Sequence, residues 1–248
     1  MNRFFIPLPE PPPDRLDIAE PALVHRMRDV LRLKPGDAVV VFDNSGWEYE
    51  VRLEEVEPDR ILGQIHKRRL CRNEPHTQVT LYQAVLKGER FEWALQKGTE
   101  VGVSAFVPLL SERCIVQDAH QLSRRKLQRW EKIIQAAAEQ SRRGRVPPLK
   151  PLMLFAAACE QVHHTGELAL LPWEEASTPL RDVLGKIGPG NPFNVAIFIG
   201  PEGGFSEAEV QRARHYGLHP VSLGPRILRA ETAGVVATAL VLYHYGDL

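Results

Sequence analysis

The stretch "LGPRILRAETAGVVATALVLYHYGDL", from Leu223 to Leu248, sets Arg226, Arg229, Glu231 and Thr232 at the mouth of the most apolar run in the chain. A helix opening there needs a cap, and Glu231 or Thr232 is suited to supply one. A cap does not require two arginines, whose planar, permanently charged guanidiniums are groups for holding a partner in a fixed orientation. Two more loops have similar punctuation: "LLPWEEA" after the apolar run Glu167–Leu171, and "IGPEGGFSEAE" after Val195–Ile199. The latter carries Gly200, Gly203 and Gly204, which let a backbone approach a ligand closely. It has neither the Gly-Lys-Ser/Thr of a phosphate loop nor GxGxxG. Glu202 within it would repel a phosphate, so the loop suits a ligand with a ribose or a cationic group. Ser206 and Glu209 have the spacing of a capping box for the helix that follows.

These loops need a scaffold that brings them together. From residue 77 onward, apolar β-like runs alternate with helical patterns, which predicts an α/β domain with a mainly parallel sheet. In such sheets ligands bind beyond the carboxyl ends of the strands, where all three loops would sit. Residues 1–72 read differently. "NRFFIPL", "AVVVFD", "WEYEVRLEEV" and "RILGQIHKRRL" are strands, "NSG" is a hairpin turn, and "PALVHRMRDVLRL" is a short amphipathic helix. Many short strands with tight turns predict a small β-barrel. The division expected is therefore 1–72 and 73–248.

Composition bounds the partners. Lys+Arg and Asp+Glu are equal at 31 each, so overall charge points to none. Local charge does: "RRKLQRWEKIIQAAAEQSRRGR", Arg124 to Arg145, holds eight basic and two acidic residues. A second basic cluster is "HKRRLCR", and Arg26, Arg28, Arg32 and Lys34 form a third. One such run is ordinarily a solvated face; three in a neutral chain point to RNA. Cys71, Cys114 and Cys159 are scattered, with no zinc spacing, so a reducing cytoplasm and no metal are expected. The N-terminus lacks an apolar signal core, and the low-charge run Ala233–Tyr245 falls short of the roughly 20 residues that span a bilayer.

"FIGPEGGFSEAEV" followed by "LGPRILRAETA" and an apolar terminal helix resembles the RsmE family of the SPOUT methyltransferase superfamily. The resemblance extends upstream to "KGERFEWALQKGTEVGVSAFVPLLSERC", "RWEKIIQAAAEQSRR" with "VPP", and "HRMRDVLRLKPGD", so it covers nearly the whole chain. It implies a PUA-like barrel joined to an α/β domain with a deep trefoil knot, working as a homodimer. It also implies methyl transfer from S-adenosylmethionine to N3 of a uridine in 16S ribosomal RNA of the small subunit, uridine 1498 by ribosomal numbering. On that resemblance the cofactor would meet Leu171, Pro172, Ile199, Gly200, Pro201, Glu202, Gly203, Leu223, Gly224, Ile227 and Leu228. Arg229 would orient the uracil and stabilise its anion, with Glu231 a candidate for the proton. Arg26, Arg32, Arg113, Arg124, Arg125, Lys126, Arg143 and Arg226 would face RNA. Two rival readings are a ribose 2′-O-methyltransferase of the same superfamily and a non-catalytic RNA-binding ribosome assembly factor. The order and wording of the motifs favour the base-modifying family, and the intact GPEGG and LRAET loops argue against loss of catalysis.

Overall fold

The structure is a computed structural model that describes residues 1–115, 122–186 and 193–248. The chain divides into two compact units, one of Met1–Glu74 with Ala138–Val146, the other of Pro75–Ala137 with Pro147–Leu248.

The first unit contains β1 (Arg3–Phe5), β2 (Arg15–Ile18), α1 (Pro21–His25, continued by a π-helical turn Arg26–Val30), β3 (Ala38–Phe42), β4 (Trp47–Val56) and β5 (Ile61–Leu70). They form one five-stranded sheet in the order β1-β3-β4-β5-β2, antiparallel except for the β1–β3 pair. Alternation along β4 sends Tyr49, Val51 and Leu53 into a core with Phe4, Met27, Val39, Val41 and Ile61. The "NSG" turn has the left-handed backbone its residues favour, φ 70° at Asn44 and 90° at Gly46. β2 has no counterpart among the strands expected from sequence; it is four residues long and follows a Pro-rich stretch that carries no periodic signal.

Residues 138–146 join this unit through buried polar contacts. Glu139 accepts the Phe5 amide at 3.1 Å and the Arg26 guanidinium at 2.7 Å. Arg143, 4% exposed, is paired with Glu74 at 2.7 Å. Burial corrects the RNA expectation for Arg143, whereas Arg26 keeps a side chain that is 44% exposed. Arg143 is enclosed and structural, and Arg26 is committed to Glu139 while lying over the Phe4 ring. Arg32 is exposed, in a left-handed turn at φ 55°.

The second unit contains β6 (Gln78–Ala84), α2 (Arg90–Val101), β7 (Ala105–Leu110), most of α3 (Arg124–Gln140), β8 (Met153–Leu154), α4 (Phe155–Thr165), β9 (Leu168–Pro172), α5 (Leu180–Leu184), β10 (Asn194–Ile199), α6 (Glu207–His215), β11 (His219–Val221) and α7 (Ala230–His244). Its six strands run in the order β11-β9-β10-β6-β7-β8, each pair parallel. On one face Tyr82 stacks on Phe198, ring centroids 4.4 Å apart, with Phe155 and Phe205 around them. Such a pair adds about 1 kcal/mol beyond the area it buries. On the other side α7 packs against β6, β10 and α2. Gly234 permits this, since a Cβ there would lie 2.9 Å from Gln83 Oε1. After β10 the chain passes over β9 to form β11, then returns as α7 onto the inner strands. This is the expected α/β domain with a parallel sheet, and it sets the carboxyl ends of β9, β10 and β11 side by side.

The chain end is fastened to this sheet by Asp247, which accepts the amides of His76 at 2.8 Å and Thr77 at 2.9 Å. Burial opposes the Asp247 charge, but hydrogen bonds from Thr77 and His76 outweigh it and hold its pKa below the ordinary 3.8. A depressed carboxylate contributes stability that is present above its unfolded pKa and lost as pH falls through its folded one. Asp247→Asn is therefore expected to lower the Tm at neutral pH, with the gap to wild type closing in strong acid, as thermal melts across pH would show.

Candidate active site

The three loops enclose a cleft of about 580 Å³. Pro172, Trp173 and Glu174 contribute from the end of β9, Ile199 to Glu202 with Gly204 and Phe205 from the end of β10, and Ser222 to Arg229 from the end of β11. The first turn of α7, with Ala230, Glu231 and Ala233, closes it.

The opening of α7 differs from the expected cap. Neither Glu231 nor Thr232 caps the helix; Arg229 is the N-cap at φ −64°, ψ 150°, with no side-chain cap bond. The Arg229 carbonyl takes the amides of Thr232 at 2.9 Å and Ala233 at 2.8 Å. A fifteen-residue helix thus presents its amide end, and the positive end of its dipole, to the cleft. Among the described residues the Arg226 and Arg229 side chains make no hydrogen bond or ion pair. Glu231 is not paired with either arginine, and its Oε2 is buried with no hydrogen-bond partner. A buried orphan acceptor is costly, so its presence in a cleft wall calls for a donor from a ligand.

The glycine-rich loop is fixed from several directions. Glu202 accepts the Lys87 amide at 3.0 Å and Arg90 Nη1 at 3.3 Å. Arg113 Nη1 donates to the Gly203 carbonyl at 2.8 Å. The expected capping box is present: Ser206 Oγ accepts the Glu209 amide, and Glu209 Oε2 accepts the Ser206 amide at 3.0 Å. Ser206 Oγ in turn donates to Glu112 Oε2 at 2.5 Å. Gly204, at φ +68°, would drive a Cβ into the Glu174 carboxylate. A left-handed backbone costs a non-glycine residue about 1–2 kcal/mol. Gly204→Ala is thus expected to let the loop relax out of its ligand-ready shape, weakening affinity for the ligand of this cleft by about five- to thirtyfold in calorimetry with the fold intact.

Of the residues expected to hold the cofactor, Pro172, Ile199, Gly200, Pro201, Glu202, Leu223, Gly224, Ile227 and Leu228 line the cleft. Leu171 does not; it is fully buried in the sheet core. Gly203 does not line it either, and its carbonyl is taken by Arg113. That arginine, expected on RNA, is bound to the loop. Glu202 lines the cleft with its carboxylate already engaged. Ile227 is 87% exposed, an aliphatic side chain left open in a cleft wall, which fits an apolar ligand surface such as a purine face. Trp173, Glu174 and Phe205 line the cleft without having been singled out, although all three lie in the quoted loops. Arg90 also lines it, from the start of α2, where sequence offered only a helical pattern.

The cysteines offer no cleft nucleophile. Burial pushes the Cys159 thiol up to about 12 and raises Cys71 as well. Among the described residues no group of His, Cys, Asp and Glu could hold a metal ion, and no helix is long and apolar enough to cross a membrane.

A family profile described as an RNA methyltransferase domain matches residues 72–242, and one described as an RNA methyltransferase PUA domain matches residues 25–65. Ribosomal RNA small subunit methyltransferase E of Synechocystis sp. is 36% identical over 220 residues, covering 89% of this chain and 70% of that protein. The chain belongs to the ribosomal RNA small subunit methyltransferase E family. The Bacillus subtilis member is 31% identical over 225 residues, covering 89% of this chain and 87% of its own. A crystal structure of the Neisseria gonorrhoeae methyltransferase E bound to S-adenosylmethionine has a TM-score of 0.85 and 33% identity, covering 97% of this chain and 96% of that one.

Proposed function

We propose that this chain transfers a methyl group from S-adenosylmethionine to N3 of uridine 1498 in 16S ribosomal RNA. One observation carries the reading. In a member of this family, a single cleft joins an open aliphatic wall, two uncommitted guanidiniums and an unpartnered carboxylate oxygen. The relative from Neisseria gonorrhoeae holds S-adenosylmethionine, and the cleft residues here fit that group. Pro172, Gly200, Leu223, Ile227 and Leu228 would hold it, the glycine admitting close backbone approach and Ile227 covering the adenine. When bound, the cofactor supplies an activated methyl group on a sulfonium.

The chain's own residues then have two tasks. They align the uracil edge, and they manage the N3 proton, which is mostly present at neutral pH. Arg229, preorganised at the N-cap of α7, faces the charge that develops on the uracil oxygens when that proton leaves. Glu231 Oε2 accepts the N3 proton. Arg226 holds a phosphate of the RNA, and the exposed Arg124 and Arg125, with Lys126, extend the contact. The protein acts in the cytoplasm as a homodimer joined through the outer face of α7. Tritium transfer from labelled S-adenosylmethionine to unmethylated small-subunit RNA, with the product nucleoside mapped, tests the reading. N3-methyluridine at one site is expected; a 2′-O-methylated nucleoside or no transfer overturns it.

A further inference from the structure

The segments 44–47, 70–73 and 142–146 of the first unit meet at the turn end of β4 and β5. The Cys71 amide donates to the Gly46 carbonyl at 2.8 Å, and Asn73 Nδ2 to the Arg142 carbonyl at 2.9 Å. The Val146 amide donates to Asn44 Oδ1 at 2.7 Å. Arg145 Nη2 lies 3.5 Å from where a Gly46 Cβ would be, next to Trp47. In the register of the hairpin Arg68 stands opposite Tyr49. Its guanidinium carbon is 4.1 Å from the Trp47 ring centroid and 5.8 Å from that of Tyr49.

The carboxylates nearby are already engaged. Glu48 serves Arg3 and Arg69, and Glu74 serves Arg143 with the amides of Gly144 and Arg145. Asp43 accepts from Ser45 and Tyr49. Among the described residues Arg68, Arg72, Arg142 and Arg145 have no carboxylate partner, and none of them is buried. This patch is therefore unneutralised in a chain whose total charge is zero. Tyr49 lies in the core, Trp47 packs against that core, and Arg68, set over the indole, is exposed to solvent.

We infer that this patch is a binding site for single-stranded RNA, in which an unpaired base stacks on the outer face of Arg68 while Arg72, Arg142 and Arg145 take the flanking phosphates. Stacked guanidiniums and aromatics are the platforms on which splayed RNA bases sit, and a duplex hides those base faces. The inference rests on the reading of the chain as an RNA enzyme and names a grip on the RNA within the first unit.

The test uses the full chain and a labelled single-stranded small-subunit RNA, with binding read by fluorescence anisotropy across a salt series. Arg68→Ala is expected to weaken binding by about tenfold or more. Arg68→Lys keeps the charge and loses the planar face, so it should stay weak with a salt slope like that of wild type. Changing Arg72, Arg142 and Arg145 together to alanine should flatten the slope. An abasic scan of the RNA should find one position that costs wild type affinity and costs Arg68→Ala nothing further. Wild-type affinity in Arg68→Lys overturns stacking. Wild-type affinity in Arg68→Ala, with loss in an Arg124, Arg125, Lys126 alanine variant, overturns the site and puts the RNA on the start of α3. Equal Arg68 dependence for heparin reduces the patch to a general anion surface. Tritium transfer by wild type separates failure of this site from failure of the assigned reaction.

Discussion

Arg229→Ala is expected to slow single-turnover methyl transfer by about 100- to 1,000-fold while leaving S-adenosylmethionine affinity nearly unchanged. Arg229 is the N-cap of α7, so its backbone is fixed by the helix it begins, and the two amides bound to its carbonyl persist in the alanine variant. The substitution removes a guanidinium that has no partner among the described residues and so leaves no buried charge stranded there. What is lost is stabilisation of a charge that exists only as the N3 proton departs, and an interaction of that kind lowers turnover and not ground-state binding. Arg229→Lys should rescue little, because an ammonium cannot present a planar fork to the uracil edge. Arg226→Ala should weaken RNA affinity with a smaller rate effect at saturation. Near-normal turnover in Arg229→Ala with a dead Arg226→Ala would exchange the two roles. Full turnover in both would move the role to Arg90, the remaining arginine of the cleft; Arg143 is enclosed with Glu74 and Arg113 is bound to Gly203.

The parts of the fold that sequence made legible are those with a local physical signature. The capping box at Ser206 and Glu209 is written in residues three apart, and it is present as expected. The all-parallel sheet follows from strands alternating with helices, and the three loops were placed together because strand ends share one edge. What sequence could not show depends on distant pairing. Arg143 looks like part of a basic run until Glu74 is found against it. Arg26 likewise needs Glu139, more than a hundred positions away. Leu171 sits beside a ligand loop in sequence, but strand alternation turns it into the core, and Pro172 reaches the cleft. The patch around Trp47 combines three segments separated by long stretches of chain, so no window of sequence contains it. The order β11-β9-β10-β6 and the return of α7 depend on distant pairing; the family resemblance implied a chain that threads and folds back there, against the usual expectation, and periodicity gave no sign of either.

Leu240→Asp is expected to convert a dimer into a monomer or an aggregating species. α7 buries Gly234, Ala237, Thr238, Val241 and Leu242 against its own subunit. Residues at i, i+4 and i+7 share a helix face, and on the outer side that set is Val236, Leu240 and Tyr243. Leu240 is 42% exposed and Tyr243 is 72% exposed in the single chain. A helix apolar on both sides, with one side covered by its own sheet, is stable in water when a second surface covers the other, and a second copy of α7 is self-complementary about a two-fold axis. A carboxylate placed at the centre of that contact would be buried without a partner, at a cost of several kcal/mol, or on the order of 100-fold or more in dissociation constant. Sedimentation velocity at micromolar concentration should therefore show dimer for wild type and monomer or larger aggregates for Leu240→Asp. Lys97→Ala, half-buried on α2 and paired with Glu100, should remain dimeric as a control for loss of charge. The described residues lining the proposed cofactor cleft all come from one chain, so a monomeric Leu240→Asp that stays folded should still bind S-adenosylmethionine in calorimetry. A wild-type chain that sediments as a stable, active monomer would leave the outer face of α7 without its proposed partner.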